Sequence, residues 1–199
     1  MDFRTFIVIM MSTVLINNYV LDRFLGICPF LGVTKQLKNS VGMGFAVIFV
    51  MVLASAVTWP IKVFVLRAHG LGYLQEIVFI LVIASLVQLV EITLKRFVPS
   101  LYKAFGVFLP LMATNCAILA VTLINIRENL TYAASLVNAF GAGLGFLLAM
   151  VIFSGIREQT ENANPPESFR GLPITLFSVA ILSLSFFGFR GVIENLFGY

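Results

Sequence analysis

Charged residues are scarce in this chain of 199 residues: Asp, Glu, Lys and Arg together make up 11% of it, while hydrophobic residues make up 60%. A soluble domain is roughly half apolar and about a quarter charged. So little charge excludes a soluble globular protein. The composition predicts an all-α integral membrane protein in which residues 1–199 form a single membrane domain.

Histidine and cysteine are also rare, with 1 His and 2 Cys in the whole chain. A structural zinc site takes four nitrogen or sulfur ligands, so a closed zinc site within one chain is excluded. The Lys and Arg residues behind the net charge of +4 stand singly or in pairs, which argues against a nucleic-acid partner. No small-residue cleavage motif follows the first apolar run, and we expect that run to insert without being cleaved.

Apolar segments long enough to cross a bilayer occur six times, each near the ~20 residues that a membrane helix needs. The predicted spans are residues 3–24, 41–62, 74–95, 101–124, 132–156 and 171–190. Short polar stretches separate them, among them residues 34–40 and 125–130. The longest, residues 157–171, holds Pro165 and Pro166 and is predicted to be a loop, because proline disrupts a helix interior.

The distribution of Lys and Arg predicts an orientation. Loops after the first, third and fifth spans carry Arg23, Lys35, Lys38, Lys95, Arg96, Lys103, Arg157 and Arg170. The other side carries Arg4, Lys62, Arg67, Arg127 and Arg190. Because basic residues accumulate on the cytoplasmic side, the first set of loops is predicted to be cytoplasmic and both termini to lie outside.

An internal repeat is indicated by two pairs of similar segments. "GMGFAVIFVMVLAS" (42–55) aligns without a gap with "GAGLGFLLAMVIFS" (141–154), and "CPFLGVT" (28–34) aligns with "CAILAVT" (116–122). The two alignments differ in register, and chance similarity among apolar residues is the alternative explanation. If the repeat is real, its units cover about residues 1–97 and 98–199. Each unit has three spans, so the second is inverted in the membrane.

The first and fourth spans are predicted to be broken helices, since residues 6–33 and 98–126 are each too long for one straight crossing. The interrupting groups are Asn17-Asn18, Asp22-Arg23, Gly26 to Pro29, Gly106, Pro110 and Thr114 to Cys116. Backbone groups freed inside a bilayer need partners, which Asn17, Asn18, Thr114 and Asn115 are suited to supply. Cys28 and Cys116 then lie at two related helix breaks, approaching one axis from opposite sides.

Two thiols at such positions have several explanations. Each cysteine can be a small buried hydrophobic residue, or the two can form a disulfide if their Cβ atoms approach closely. They can also be half of an iron–sulfur site, because a 2Fe–2S cluster takes four thiolates and a related second chain can bring two more. Asp22 is either an anchor at a span end or part of a polar path, and Glu91 with Lys95 is predicted to form an ion pair.

Three stretches, "NNYVLDRFLGICPFLGVTKQL", "GVFLPLMATNCAILAV" and "REQTENANPPESFRG", resemble the RnfA/NqrE family of membrane proteins, and the resemblance runs along the whole chain. The "NN" and "CPF" motifs favour the Rnf branch over the E subunit of the sodium-pumping NADH:quinone reductase. The resemblance implies a multi-pass subunit in the bacterial inner membrane, inactive alone, within a translocase that couples electron transfer between ferredoxin and NAD to movement of Na⁺ or H⁺.

The resemblance also implies that Cys28 and Cys116 are iron ligands of a 2Fe–2S cluster shared with the paralogous E subunit, through which electrons are relayed. Two other classes stay open at this point. A secondary transporter also uses inverted repeats and broken helices. An inert scaffold protein within a complex is the third class, and it would tolerate loss of both thiols.

Overall fold

The structure is a computed structural model that describes residues 10–11, 13–14, 18–27, 37–66, 74–97, 115–162, 166 and 171–197. Within these ranges every regular element is helical, as the sequence predicts. Five α-helices follow one another: α1 (Leu37–Ile61), α2 (Gln75–Phe97), α3 (Cys116–Arg127), α4 (Tyr132–Asn162) and α5 (Leu172–Phe197).

Three of the described helical stretches are long and apolar enough to cross a membrane: Ser40–Phe64, Gln75–Thr93 and Tyr132–Thr160. They match the second, third and fifth predicted spans. Shorter apolar helices occupy Cys116–Arg127 and Pro173–Gly188, whereas much of the first and fourth predicted spans lies outside the described residues. Large exposed apolar side chains suit a lipid-facing surface. They include Phe45, Phe49, Phe64, Leu81, Leu89 and Leu184.

The helices extend further into polar sequence than predicted. α1 begins at Leu37, α2 ends at Phe97 and α4 ends at Asn162. The prediction of a loop over residues 157–171 is therefore wrong for its first six residues, and the predicted break at 125–130 begins too early, because α3 ends at Arg127. Arg, Gln and Glu favour helix, so a helix continues in water beyond the apolar segment that crosses the membrane.

The centre of the fold is the contact between α1 and α4. A Cβ added at Gly44 would overlap the side chain of Leu147, and one added at Gly143 would lie 2.8 Å from Cγ1 of Ile48. Gly143 and Leu147 each lie 99 positions after Gly44 and Ile48, respectively. The two close contacts are therefore equivalent under the 42–55 and 141–154 alignment, and each glycine lets the helices approach closely.

The end of α1 is attached to the connection between α3 and α4. Pro60 lies inside α1 and removes one backbone donor, and the helix continues as a π-helical turn over Lys62–Leu66. Trp59 donates from Nε1 to the carbonyl oxygen of Leu130 over 3.1 Å and meets Tyr132 edge to face, with ring centroids 5.4 Å apart. Aromatic side chains of this kind are enriched at membrane–water interfaces.

Candidate functional site

The site begins where α3 begins, at Cys116. Asn115 is the N-cap residue, with an extended backbone, and its Oδ1 accepts a hydrogen bond from the N–H of Ala117 over 3.0 Å. Asparagine is among the best residues for this position. The cap places the partly buried thiol of Cys116 in the first turn of α3, where the helix dipole and unpaired N–H groups favour negative charge.

Gly26 lies directly against this thiol. Its N–H donates to Sγ of Cys116 over 2.9 Å. The φ angle of Gly26 is +89°, and an added Cβ would lie 3.1 Å from Cβ of Ala117 and 3.1 Å from Cε2 of Phe146. Both the backbone angle and the close approach therefore require glycine here. The conformation at Gly26 is what aims a backbone donor at the sulfur.

Residues 19–23 and 25–26 form turns, in agreement with the interruption predicted for the first span. Asn18 is buried, and its Nδ2 donates to the carbonyl oxygen of Gly145 on α4 over 2.9 Å, while its Oδ1 accepts from the N–H of Val20. Ser183 on α5 donates to the carbonyl oxygen of Leu21. These side chains replace the backbone partners that a helix would supply, as a non-helical segment inside a bundle requires.

Only one of the two cysteines predicted as ligands lies among the described residues. Cys116 is described and forms no disulfide with any described residue. Cys28, like Asn17 and Thr114, lies outside the described residues. Within the part of the chain that the structure describes, His, Cys, Asp and Glu side chains do not gather in groups of three or more that could hold a metal ion.

Other polar residues that the sequence singled out have contacts of their own. Asp22 is half-buried in the turns, where its N–H donates to the carbonyl oxygen of Asn18 over 2.8 Å. Arg23 lies over the ring of Tyr19, 5.7 Å from its centroid. Glu91 and Lys95 are four residues apart on α2, and their ion pair stays a prediction.

Asn115 has a second feature beyond its capping role. The residue is 3% exposed, and its Nδ2 has no hydrogen-bond partner among the described residues. Its Oδ1 lies 3.2 Å from the position that a Cβ on Gly26 would take. Buried amide donors are almost always paired, so an unpaired one beside a thiol indicates a missing acceptor at this place.

A second group of polar side chains was missed by the sequence analysis, and we term it the polar cluster. Its members are Thr13, Ser55, Asn125, Ser135 and Asn138, all of them buried. Asn125 was assigned to a polar loop, which is wrong, because it lies in α3 and faces α1 and α4. A usable signal was present: Ser135 and Asn138 are three residues apart, on one face of an apolar helix.

A cavity of about 530 Å³ opens at the C-terminal end of α3. Its lining residues are Lys62, Gln75, Glu76, Leu123, Ile126, Arg127 and Asn129. Nζ of Lys62 donates to the carbonyl oxygen of Ile126 over 2.9 Å and to Oδ1 of Asn129 over 3.3 Å. Arg127 and Glu76 form an exposed ion pair with a separation of 3.7 Å.

Comparison with known proteins supports a single family. A family model described as "Rnf-Nqr subunit, membrane protein" matches residues 6–193. The chain belongs to the Rnf-Nqr family. Among its relatives is the A subunit of the Na⁺-translocating ferredoxin:NAD⁺ oxidoreductase complex of Acetobacterium woodii, which is 53% identical over 188 residues, or 94% of this chain and 98% of the relative.

Two further Rnf-Nqr relatives are each named as the A subunit of an ion-translocating oxidoreductase complex. The one from Syntrophotalea carbinolica is 48% identical over 192 residues, covering 96% of this chain and 100% of the relative. The one from an Azoarcus species is 46% identical over 189 residues, covering 95% of this chain and 98% of the relative. The family resemblance that was noted from three sequence stretches is therefore confirmed along nearly the whole chain.

Proposed function

We propose that this chain is the A-type membrane subunit of an ion-translocating ferredoxin:NAD oxidoreductase complex of the Rnf type. In this proposal it relays electrons through an intramembrane 2Fe–2S cluster. Cys28 and Cys116 supply two thiolate ligands and the paralogous E subunit supplies the other two. The names of the relatives support the complex, and the surroundings of Cys116 support the ligand role.

The donors around Cys116 fit a thiolate ligand of such a cluster. Negative charge on its sulfur is stabilised by the N–H of Gly26 and by the first turn of α3. Nδ2 of Asn115 is buried and has no partner in the described ranges, so a cluster sulfur is a suitable acceptor for it. Hydrogen bonds to the sulfurs are one of the means by which a protein sets the potential of an iron–sulfur centre.

Chain connectivity supports the participation of Cys28. It follows Gly26 by two residues, and two residues of extended chain span at most about 7 Å. Since the N–H of Gly26 contacts Sγ of Cys116, a ligand two residues further along is within reach of the same cluster. One chain then offers two thiolates, and a four-thiolate site requires the related partner.

We propose six spans arranged as two inverted three-helix repeats. The equivalence of the Gly44–Leu147 and Ile48–Gly143 contacts under a shift of 99 positions supports a pseudo-twofold relation between α1 and α4. Both termini are assigned to the outside of the bacterial inner membrane, from the Lys and Arg distribution. A reporter active only in the cytoplasm, fused after Tyr199, should be silent. The same reporter inserted at the exposed Pro166 should be active.

The residues of this chain have defined tasks in the proposed relay. A 2Fe–2S cluster accepts and releases one electron. Gly26 and the start of α3 stabilise the added negative charge, which favours the reduced state. Ala117 and Phe146 are fully or almost fully buried beside Gly26 and form an apolar wall next to it. The chain thus holds the sulfur of Cys116 beside a backbone donor, with buried apolar side chains next to that donor.

Co-expression tests the shared site. This chain purified alone should be colourless and free of stoichiometric iron, because two thiolates do not complete a 2Fe–2S site. Purified together with its paralogous partner, it should contain iron and absorb visible light. Stable stoichiometric iron in the isolated monomer would exclude the shared arrangement.

The alternative within the family is the E subunit of the sodium-pumping NADH:quinone reductase, since the family description covers both complexes. Relatives named as A subunits favour the Rnf type. The electron partner distinguishes them. A complex purified through this chain should reduce NAD with reduced ferredoxin, whereas quinone-dependent NADH oxidation would indicate the alternative.

A further inference from the structure

The cavity at the C-terminal end of α3 lies where three helix ends meet. Its volume is about 530 Å³, and its lining comes from the π-helical turn after α1, the first residues of α2 and the end of α3. Trp59 and Tyr132, which meet edge to face at the same end of the bundle, are residues enriched at membrane–water interfaces. The cavity therefore lies at the level of the lipid headgroups, and its size is typical of small-molecule sites.

Basic side chains outnumber acidic ones in the lining of this cavity. Lys62 is half-buried, and its Nζ donates to the carbonyl oxygen of Ile126 over 2.9 Å and to Oδ1 of Asn129 over 3.3 Å. Both of these acceptors are uncharged. Arg127 is the second cation, and Glu76, 3.7 Å from it, is the one anion among the described lining residues. Two positive charges against one negative charge favour an anionic ligand.

The ion pair between Arg127 and Glu76 does not prevent Arg127 from binding another anion. Both side chains are exposed, and exposed ion pairs contribute little to stability because water and salt screen them. A phosphate group accepts two parallel hydrogen bonds from a guanidinium, which is a stronger interaction than one contact of 3.7 Å. An anionic ligand in the cavity can therefore draw Arg127 away from Glu76 at small cost.

An apolar strip leads from the cavity into the bilayer. Glu76 and Ile80 are four residues apart on α2 and therefore share a face of the helix. Ile77, Ile80 and Leu81 are each more than half exposed, and so is Phe64 on the π-helical turn. The charged rim of the cavity thus continues into side chains that suit acyl chains. A ligand with an anionic head and apolar chains matches both parts, whereas a soluble anion matches only the rim.

We propose that the cavity binds the headgroup of an anionic phospholipid, with Lys62 and Arg127 at the phosphate and the acyl chains along the exposed face of α2. The proposal needs only the membrane location of the chain and is independent of the electron relay. Basic pockets between membrane helices bind such headgroups in other proteins. Bound in this way, the lipid connects α2 to the ends of α1 and α3 and stabilises their contact.

A purely structural role for Lys62 is the alternative. Basic side chains near a helix C-terminus bond to its last carbonyl groups, as Lys62 does to Ile126. Such a cap accounts for the position of one ammonium group, but it requires neither a second cation, nor a cavity, nor an apolar strip beside it. The two explanations differ in whether lipid charge affects occupancy of the cavity.

The test places a photoreactive p-benzoylphenylalanine at Gln75, which lines the cavity. The complex purified through this chain is reconstituted in nanodiscs of phosphatidylcholine that contain increasing fractions of phosphatidylglycerol. Illumination should attach phosphatidylglycerol to the label in preference to phosphatidylcholine, as measured by mass spectrometry of the labelled peptide, and added inorganic phosphate should not compete. The exposed Ile77 is the second label position if the change at Gln75 prevents assembly.

Charge variants show whether the headgroup is recognised at this place. Lys62→Gln and Arg127→Gln should each raise the phosphatidylglycerol fraction needed for half-maximal labelling about fivefold, the effect of one basic residue near an anionic membrane surface. Glu76→Gln should lower that fraction, since the competing anion is lost. Arg96→Gln, which removes an exposed cation at the other end of α2, is the matched control and should leave labelling unchanged.

Three results would overturn the proposal. Equal labelling by both lipids, or one half-maximal fraction in all variants, would mean that Lys62 only caps α3. Competition by inorganic phosphate would mean that a soluble anion is the ligand, and attachment of the label to a polypeptide would mean that a partner subunit covers the cavity. Should Lys62→Gln not assemble, Arg127→Gln still decides, because Arg127 is exposed. Labelling does not involve iron or electron transfer, so failure of the proposed relay leaves these measurements unaffected.

Discussion

Gly26 and Cys116 are joined by a hydrogen bond from backbone N–H to Sγ, 2.9 Å long, although they are 90 positions apart in the chain. Gly26 lies at the end of the turns that interrupt the first apolar region, and Cys116 is the first residue of α3. The bond therefore links the two predicted helix breaks to each other. It depends on the positive φ of Gly26 and on the absence of a side chain there.

Replacing Gly26 by Ala should loosen this link. A left-handed backbone costs a residue with a Cβ about 1–2 kcal/mol, and the new methyl would press on Ala117 and Phe146. We expect a lower unfolding temperature of the purified complex and a more negative midpoint potential of the cluster, since the N–H moves away from the sulfur. Gly155→Ala is the matched control, because no atom lies within 4 Å of its added Cβ. An unchanged potential in Gly26→Ala would show that this N–H does not act on a cluster.

Replacing Cys28 or Cys116 by Ser should abolish the cluster while the protein stays in the membrane. Serine is similar in size, but its hydroxyl is far less acidic and a poor ligand for iron. If the thiols were only buried hydrophobic residues, the change would cost roughly 1–2 kcal/mol of stability and leave electron transfer intact. The measurements are the electron paramagnetic resonance signal of the reduced complex and ferredoxin-to-NAD turnover, with membrane abundance as the control. Retention of both in either variant would favour the inert scaffold.

Substitutions of Asn115 can separate its capping of α3 from its effect on the midpoint potential of the cluster. Asn115→Asp and Asn115→Ser both keep a good N-cap acceptor, so α3 should still begin at Cys116. The thermal stability of the complex should change little in Asn115→Ser but fall in Asn115→Asp, because a carboxylate is costly to bury at this 3% exposed position. Both remove the buried Nδ2 donor, and Asp adds negative charge. We expect the midpoint potential to fall in both, more in Asp, and by on the order of 50 mV for a lost hydrogen bond worth about 1 kcal/mol. Redox titration of the cluster signal checks this. Equal midpoint potentials in the parental complex and both variants would mean that Nδ2 of Asn115 does not donate to the cluster.

The sequence predicted the breaks near Gly26 and before Cys116 but not the polar cluster, for a physical reason. The break near Gly26 and the start of α3 at Cys116 follow from local chemistry, because glycine and asparagine are favoured residues where a helix ends or begins. Burial of Asn125 depends on which helices meet, and no local pattern encodes that contact. Its neighbours Arg127 and Glu128 are exposed, which made the stretch resemble a loop. The hydrogen bond from Gly26 to Cys116 likewise cannot be predicted from local sequence, because it joins residues 90 positions apart.

The α1–α4 contact allows a test of the repeat itself. Gly143→Ala would place a Cβ 2.8 Å from Cγ1 of Ile48 and 3.0 Å from its Cα. Overpacking of this kind typically costs about 1–3 kcal/mol. The equivalent change is Gly44→Ala against Leu147. We expect both to lower the unfolding temperature of the complex. The control Gly188→Ala, whose added Cβ meets no atom within 4 Å, should leave it unchanged or raise it slightly, because alanine favours helix more than glycine.

Second-site changes make this packing test specific. If the two contacts are related by a pseudo-twofold axis, smaller partners should rescue them in the same way. Leu147→Ala should restore part of the stability lost in Gly44→Ala, because it removes the Cδ1 that the new methyl would overlap and leaves only Cβ, 3.2 Å away. Ile48→Ala should restore Gly143→Ala only in part, since it removes Cγ1 but leaves the Cα and Cβ of residue 48, which lie 3.0 and 3.2 Å from the new methyl. Thermal unfolding of the single and double variants gives the coupling energy of each pair. A coupling near zero in both pairs would mean that these glycines do not set the distance between α1 and α4, and the argument for equivalent repeats would lose its structural support.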